Sequence, residues 1–128
     1  MGKLLFNSRD ELLFIDFNDV ALVHADGNYS RLMFTDKREM SLNLGINKLS
    51  DMIANMHFEQ AVFVKIGRSL LVNQHFLERI DLVKQQIVLA EKGMQPIRIA
   101  APKQVLKEYK NFLAEKFTMK QPQESSEI

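Results

Sequence analysis

The sequence predicts a mostly β fold of short antiparallel strands, with one short internal helix and one helix near the C-terminus. Apolar and polar residues alternate through most of the first two-thirds of the chain, which is the pattern of half-buried strands. Two other segments place apolar residues three and four positions apart, which is typical of amphipathic helices. Turn-forming residues, and no long helices, separate the alternating runs, so the strands are expected to pair antiparallel.

The strands follow from the alternation and from the turns between them. Between residues 39 and 44, the side chains of Met40, Leu42 and Leu44 lie on one face of an extended chain. The same spacing recurs in Leu13, Ile15 and Phe17, in Leu32 and Phe34, in Ile87 and Leu89, and in Ile97 and Ile99. The sequence D-G-N at 26–28 separates two apolar runs, and these residue types tolerate the backbone of tight turns. A hairpin or a longer loop is expected there.

The two helices are predicted near residues 47–56 and 102–117. The first carries a stripe at helical spacing, with Asn47 as its expected N-cap. That stripe consists of Leu49, Met52, Ile53 and Met56. The second is expected to begin at Pro102, since a residue without an N–H suits the first turn of a helix. Its stripe, expected to face the core, consists of Leu106, Tyr109, Leu113 and Phe117.

The composition excludes several classes of protein. The chain has 128 residues, of which 46% are apolar and 26% are charged, the balance of one globular domain. No apolar run approaches the roughly 20 residues of a membrane span, and the first residues turn polar too soon for a signal peptide. Without cysteine there is no disulfide framework, thiolate zinc site or cysteine nucleophile. We expect a cytoplasmic protein with one domain at residues 1–117 and a polar tail at 118–128.

Positive charge is unevenly distributed, although the net charge is only +1. Residues 60–77 contain Lys65, Arg68 and His75 but no acidic residue, and residues 92–107 also lack one. The basic residues of this second stretch are Lys92, Arg98, Lys103 and Lys107. Two basic stretches without acids indicate one electropositive face if the fold brings them together. If they point apart, they are two ordinary solvated segments.

Few residues favour catalysis. The three histidines do not have the spacing of a metal-binding pair, and the five glycines form no nucleophile elbow, phosphate-binding loop or dinucleotide fingerprint. Asp16 and Asp19 could be imagined as an acid–base pair, but carboxylates at a strand end more often cap a turn. We therefore expect no enzyme, no catalytic residue, no metal site and no cofactor.

The segment from 63 to 73, F-V-K-I-G-R-S-L-L-V-N, is the most informative part of the chain. Gly67 allows a sharp turn of the backbone, which would present Arg68 and Ser69 at its tip. An arginine can bind a guanine edge or a phosphate through two hydrogen bonds, and a hydroxyl suits phosphate oxygens.

Three segments give the chain a resemblance to the LytTR DNA-binding domain family (LytR/AlgR type) of bacterial response regulators. Residues 23–31, V-H-A-D-G-N-Y-S-R, resemble the family's E-A-x-G-N-Y strand and loop. Residues 63–73 are similar to its hallmark F-x-R-I-H-R-S-Y-L-V-N. Residues 99–109, I-A-A-P-K-Q-V-L-K-E-Y, resemble its closing I-P-V-S-R-x-x-x-K-x-L. The likeness extends over about residues 10–113.

The resemblance implies small antiparallel sheets packed in layers and a regulator of transcription that binds double-stranded DNA. It implies loops inserted into successive major grooves of bent DNA, with Arg31 and Arg68 reading bases. Lys65, Lys103 and Ser30 would hold phosphates. The full set of implied DNA-binding residues is Asn28, Tyr29, Ser30, Arg31, Lys65, Arg68, Ser69, Asn73 and Lys103. The family's use of paired direct repeats implies two copies on one DNA face, with the protein expected to be a monomer off DNA.

Two departures from the family pattern leave an alternative open. Gly67 stands where the family usually has histidine, and Lys103 stands where it has arginine, whose two-pronged hydrogen bonding a lysine lacks. The alternative is a degenerate LytTR fold that no longer reads DNA and binds a protein, such as a membrane-bound regulator. The 128 residues hold no room for the receiver domain that usually accompanies the family. We expect a regulator that acts without one, unless the chain is a piece of a longer protein.

Overall fold

The computed structural model describes residues 3–118, which form ten strands and two α-helices. The predicted polar tail therefore lies outside the described residues, except for Thr118, which ends the last helix. The elements in chain order are β1 (Lys3–Asn7), β2 (Leu12–Asp16), β3 (Val20–Asp26), β4 (Tyr29–Phe34), β5 (Glu39–Leu42), α1 (Ile46–Ala54), β6 (Phe63–Ile66), β7 (Leu70–Asn73), β8 (Leu77–Asp81), β9 (Gln86–Leu89), β10 (Ile97–Ala100) and α2 (Lys103–Thr118).

The strands form three antiparallel sheets, as the sequence predicts. The largest has five strands in the order β5-β4-β3-β7-β6. A three-stranded sheet has the order β10-β9-β8, and β1 pairs with β2 in a separate hairpin. The prediction of a mostly β fold of small antiparallel sheets with two helices is confirmed.

Both faces of the central strands β3 and β7 are buried, which explains the unbroken apolar runs of these two strands. In β3, Leu22 faces a core shared with the three-stranded sheet and α2, whereas Val23 faces a core shared with α1 and the β1–β2 hairpin. In β7, Val72 faces the first of these cores and Leu71 faces the second. Successive side chains of a strand point to opposite faces, so a strand with two buried faces is apolar at every position.

The helices lie within two residues of their predicted bounds, with α1 ending two residues earlier and α2 beginning one residue after Pro102. The residue before α1 is Gly45, which makes no capping hydrogen bond through a side chain, so the prediction of Asn47 as N-cap is wrong. Periodicity locates the apolar stripe of a helix more accurately than its first residue. Asn47 lies in the first turn, where its side-chain oxygen accepts a hydrogen bond from Lys65 Nζ. Neither helix within residues 3–118 is long and apolar enough to cross a membrane.

The stripe of α2 is buried only along its first half. Leu106 and Tyr109 are buried against the three-stranded sheet, whereas Phe117 is 45% exposed. The hydroxyl of Tyr109 donates a hydrogen bond to Oε1 of Gln74 at 2.9 Å. Burial raises the pKa of Tyr109 to about 12, so this hydroxyl keeps its proton at neutral pH. The contact fixes the first turns of α2 against the body of the domain.

The pairing of β3 with β7 determines which loops lie together. Val23 is opposite Leu71, and the strands run antiparallel, so the end of β3 lies beside the start of β7. The backbone N–H of Ala25 donates to the carbonyl of Ser69 at 2.8 Å, which continues the pairing into the turn before β7. The β3–β4 turn and the β6–β7 turn therefore project from the same end of the five-stranded sheet.

The opposite end of β7 is held by the amide of Asn73, which is fully buried. Its nitrogen donates to the carbonyl of Val20 at 3.0 Å. Its oxygen accepts from the backbone N–H groups of Val62 and His75 at 3.2 and 3.1 Å. One side chain thus satisfies three backbone groups of neighbouring segments, and buried backbone groups rarely lack such partners.

We predict that Asn73→Ala destabilises the domain by about 2–3 kcal/mol, because it leaves buried backbone groups without partners. Denaturant unfolding followed by circular dichroism measures this change. The control is Asn43→Ala at an exposed position, which should change stability by less than about 0.5 kcal/mol. Equal stability of the two variants would contradict the structural role of Asn73.

Candidate nucleic-acid interface

The β3–β4 turn consists of Gly27 and Asn28, so the sequence D-G-N forms a tight hairpin. Gly27 has φ of 64°, a conformation that glycine adopts without a steric penalty. Asn28 is exposed, and Tyr29 is 49% exposed at the start of β4. The turn thus offers an amide and an aromatic ring to solvent at its tip.

The β6–β7 turn consists of Gly67, Arg68 and Ser69. Gly67 has φ of 67°, which agrees with the sharp turn inferred from the sequence. Arg68 and Ser69 are exposed. Within residues 3–118 the ion pairs are those of Arg38 and His75, so Arg68 is not held by a carboxylate. Its guanidinium is available to a ligand.

A cavity of about 190 Å³ joins the β6–β7 turn to the start of α2. Arg68 and Ser69 line one side, and Ala100, Ala101 and Pro102 line the other. The structure therefore brings parts of the two acid-free stretches together, as one electropositive face requires. Other parts of the stretches lie elsewhere. His75 and Lys92 are at the opposite end of the molecule, since they follow the far ends of β7 and β9.

Four exposed cations surround this end of the five-stranded sheet. Arg31 lies on β4 opposite His24 of β3, and Arg68 lies in the β6–β7 turn. Lys65 is on the edge strand β6, where Asn47 accepts its hydrogen bond. Lys103 opens α2 directly after Pro102. Three separate parts of the chain thus contribute positive charge to this end of the sheet, with Lys65 on the opposite face from Arg31.

Two of the nine predicted site residues lie inside the fold, and their assignment to DNA is corrected. Ser30 and Asn73 are both 0% exposed. The hydroxyl of Ser30 donates to the carbonyl of Leu44 at 2.6 Å and tethers the segment after β5. Asn73 lies at the far end of β7 from the turn. A side chain with no accessible surface and satisfied hydrogen bonds holds the backbone and does not contact a ligand.

His24 lines the cavity, although the sequence alone does not distinguish it as a site residue. It is half-buried on β3, with Leu70 of β7 on one side and Arg31 of β4 on the other. Burial lowers the pKa of His24 below its ordinary value of 6.5, and the nearby positive charge of Arg31 lowers it further. The signal available in the sequence is its position on the strand that leads to the β3–β4 turn.

A larger cavity, of about 660 Å³, opens between the β1–β2 hairpin and the segment after β5. Its charged lining residues are Arg9, Asp10 and Glu11. Because the carboxylates outnumber the cation, this cavity does not share the positive charge of the first. Within the described residues, no cluster of three or more histidine, aspartate or glutamate side chains is placed to hold a metal ion.

Comparisons with known proteins point to one family. The family model of the LytTr DNA-binding domain matches residues 10–114. Among solved structures, the fold is similar to the LytTr DNA-binding domain of a protein described as a methyl-accepting/DNA response regulator from Bacillus cereus. The TM-score is 0.56 at 10% sequence identity, over 88% of this chain and 97% of that one. At this identity the likeness concerns the fold. No curated protein matches the chain.

Proposed function

The chain belongs to the LytTR family of DNA-binding domains, and we propose that it binds specific sites on double-stranded DNA and regulates bacterial transcription. The observation that supports this proposal is the convergence of Arg31, Arg68 and Lys103 at one end of the five-stranded sheet. These cations come from separate segments, and the cavity that Arg68 lines has no carboxylate in its lining among the described residues. Phosphate contacts require such a surface.

The residues divide by chemistry into two roles. Arg31 and Arg68 read bases, because a guanidinium can form two hydrogen bonds with one guanine edge. Lys65 and Lys103 hold phosphates as point charges, which fix the position of the protein without reading sequence. Asn28, Tyr29 and Ser69 contact the backbone or base edges from the tips of the two turns. Both turns leave the same end of one sheet, so they can reach neighbouring grooves together.

The arrangement on DNA that we propose is the one implied by the family's use of paired direct repeats, with two copies on one face of the duplex. We propose that the free protein is a monomer that pairs on DNA, and that it acts in the cytoplasm.

The second candidate function is a protein-interaction module that no longer reads DNA. It is favoured by Gly67, whose position offers no side chain to a groove, and by Lys103, which lacks the two-pronged hydrogen bonding of arginine. A β-carbon at Gly67 would meet only ordinary contacts, with Val105 at 3.8 and 3.9 Å. Crowding therefore does not exclude a side chain there, although the positive φ of 67° favours glycine. A membrane-bound or other protein regulator would be the partner of such a module.

The two functions are separated by binding to genomic DNA. We predict that the protein retards a subset of genomic fragments, including its own promoter region, in the presence of excess competitor DNA. The contrast between fragments should be at least about 1,000-fold in affinity, as for specific DNA-binding proteins in general. Equal retardation of all fragments, or none, would favour the interaction module.

Arg68→Ala is predicted to abolish site preference without unfolding the domain. Arg68 is exposed and has no ion pair, so the melting temperature should stay within about 2 °C. Loss of the guanine contact should reduce discrimination against a wrong base by about 1–3 kcal/mol. Arg68→Lys should recover part of the affinity and little of the specificity, because lysine retains only the charge.

The control for Arg68 is Arg38→Ala, an exposed arginine in the turn between β4 and β5, at the opposite end of the sheet. Competition assays with matched and mismatched sites should show normal preference for this variant. If Arg68→Ala unfolds the domain while its folded fraction binds normally, Arg68 is a structural residue and the base-reading role is wrong.

Lys103→Ala is predicted to weaken binding to all sequences to a similar extent. Loss of one phosphate contact should reduce the slope of log affinity against log salt by about one unit. Lys92→Ala is the matched control, because Lys92 belongs to the same acid-free stretch but lies at the other end of the molecule. A loss of sequence discrimination with an unchanged salt slope would show that Lys103 reads a base.

A further inference from the structure

We infer that His24 is a further DNA-contacting residue and that it binds a DNA phosphate in its protonated form, so that DNA binding takes up a proton. This inference rests on the proposed function, since the ligand is the same DNA. It adds a contact that the resemblance to the family does not imply, and it makes affinity depend on pH.

The position of His24 gives it access to a phosphate at the proposed interface. Its side chain forms part of the cavity whose rim carries Arg68 and Ser69. Arg31 lies directly across the β3–β4 pair, on the same face of the sheet. Arg31 is directly opposite His24, and Arg68 is at the rim of the cavity that His24 lines. A phosphate next to the bases that these arginines read would therefore lie beside the imidazole.

Burial and the charges around His24 together favour the neutral imidazole in the free protein. Burial is the main cause of its lowered pKa, and the charge of Arg31 adds to it. Glu39 on β5 acts in the opposite sense and raises the pKa, but by less. Arg68 contributes another cation at the cavity rim, whereas α2 and the residue before it line the cavity with the uncharged Val105 and Pro102.

One carboxylate on the same strand also belongs to this environment. Asp26 lies two residues after His24, and side chains two apart on a strand share a face. Asp26 is exposed at the turn, where solvent screens its charge. Glu39 and Asp26 do not offset the lowering of the His24 pKa by burial and by the charge of Arg31. The imidazole therefore lacks a strong anionic partner in the free protein.

A DNA phosphate would supply that partner. A negative charge between Arg31 and His24 offsets the repulsion between the two cations and accepts a hydrogen bond from the imidazolium. The pKa of His24 is then higher in the complex than in the free protein. Between these two pKa values the complex binds more protons than the free protein, so affinity must rise as pH falls through that range.

The other two histidines should not show this coupling. His57 precedes Phe58, whose ring packs on Phe63 at the far end of β6, with centroids 6.1 Å apart. His75 lies beyond Asn73, which pairs with Phe63 at that same end. Neither imidazole is near the turns, so each serves as a control for the position of His24.

The test measures the Kd for a specific duplex between about pH 5.5 and 8 at constant ionic strength, by fluorescence anisotropy. For the native protein, Kd should increase with pH by up to about tenfold per unit, the limit for one linked proton. His24→Gln should remove this dependence, and His57→Gln should retain it. His24→Lys, which stays charged throughout the range, should bind tightly at pH 8.

A second measurement needs only the native protein. Titration calorimetry in two buffers with different heats of ionisation gives the number of protons taken up on binding, expected to lie between zero and one near pH 7. Zero uptake, or an unchanged pH dependence in His24→Gln, would overturn the inference while DNA binding stands. If the native protein binds no duplex at any pH, both the inference and the proposed function fail.

Discussion

The antiparallel pairing of β3 with β7 is the constraint on which the rest of the structure depends. It is continued by the hydrogen bond from the N–H of Ala25 to the carbonyl of Ser69. This register fixes the β3–β4 and β6–β7 turns side by side, and it determines which residues of both strands face each core. A slip of one residue would exchange the two faces of a strand. The positions of Arg31, His24 and Arg68 are thus consequences of backbone pairing.

Because both faces of β3 and β7 are buried, polar side chains are exposed at the turns that join the strands and along one face of β4 and β5. Apolar residues such as Leu22, Val23 and Leu71 fill the two cores. The glycines at 27 and 67 then turn the chain sharply enough to return it to the sheet within two or three residues. Short turns on a rigid sheet hold exposed side chains at nearly fixed positions, which suits recognition of a repeating polymer. Charged side chains lie there because burying an unpaired charge in an apolar core costs free energy.

Sequence patterns predicted most of the fold and part of the candidate site, for physical reasons that differ between residues. Alternation reflects burial directly, so the strands and the core-facing half of α2 could be predicted. Ser30 and Asn73 could not be assigned correctly. The sequence does not distinguish a serine or asparagine whose side chain satisfies buried backbone groups from one whose side chain contacts a ligand.

The roles of the remaining site residues depend on which residues lie next to them in the fold, and the sequence does not show these neighbours. His24 acquires its importance from Arg31 across the strand pair and from a cavity wall contributed by residues about 76 positions further along the chain. Lys92 shows the converse, because it shares a stretch with Lys103 and lies at the other end of the molecule. The partition of charge between the two ends follows from register and topology.

The central claim is that one end of the five-stranded sheet is the DNA-binding surface. The most direct measurement is titration of isotope-labelled protein with a specific duplex, monitored through backbone amide chemical shifts. The account predicts that the largest changes fall in residues 24–31, 65–69 and 101–105. The β1–β2 hairpin and the segment around His75 should remain unperturbed. Changes concentrated at these last two places, with the turns unaffected, would contradict the account.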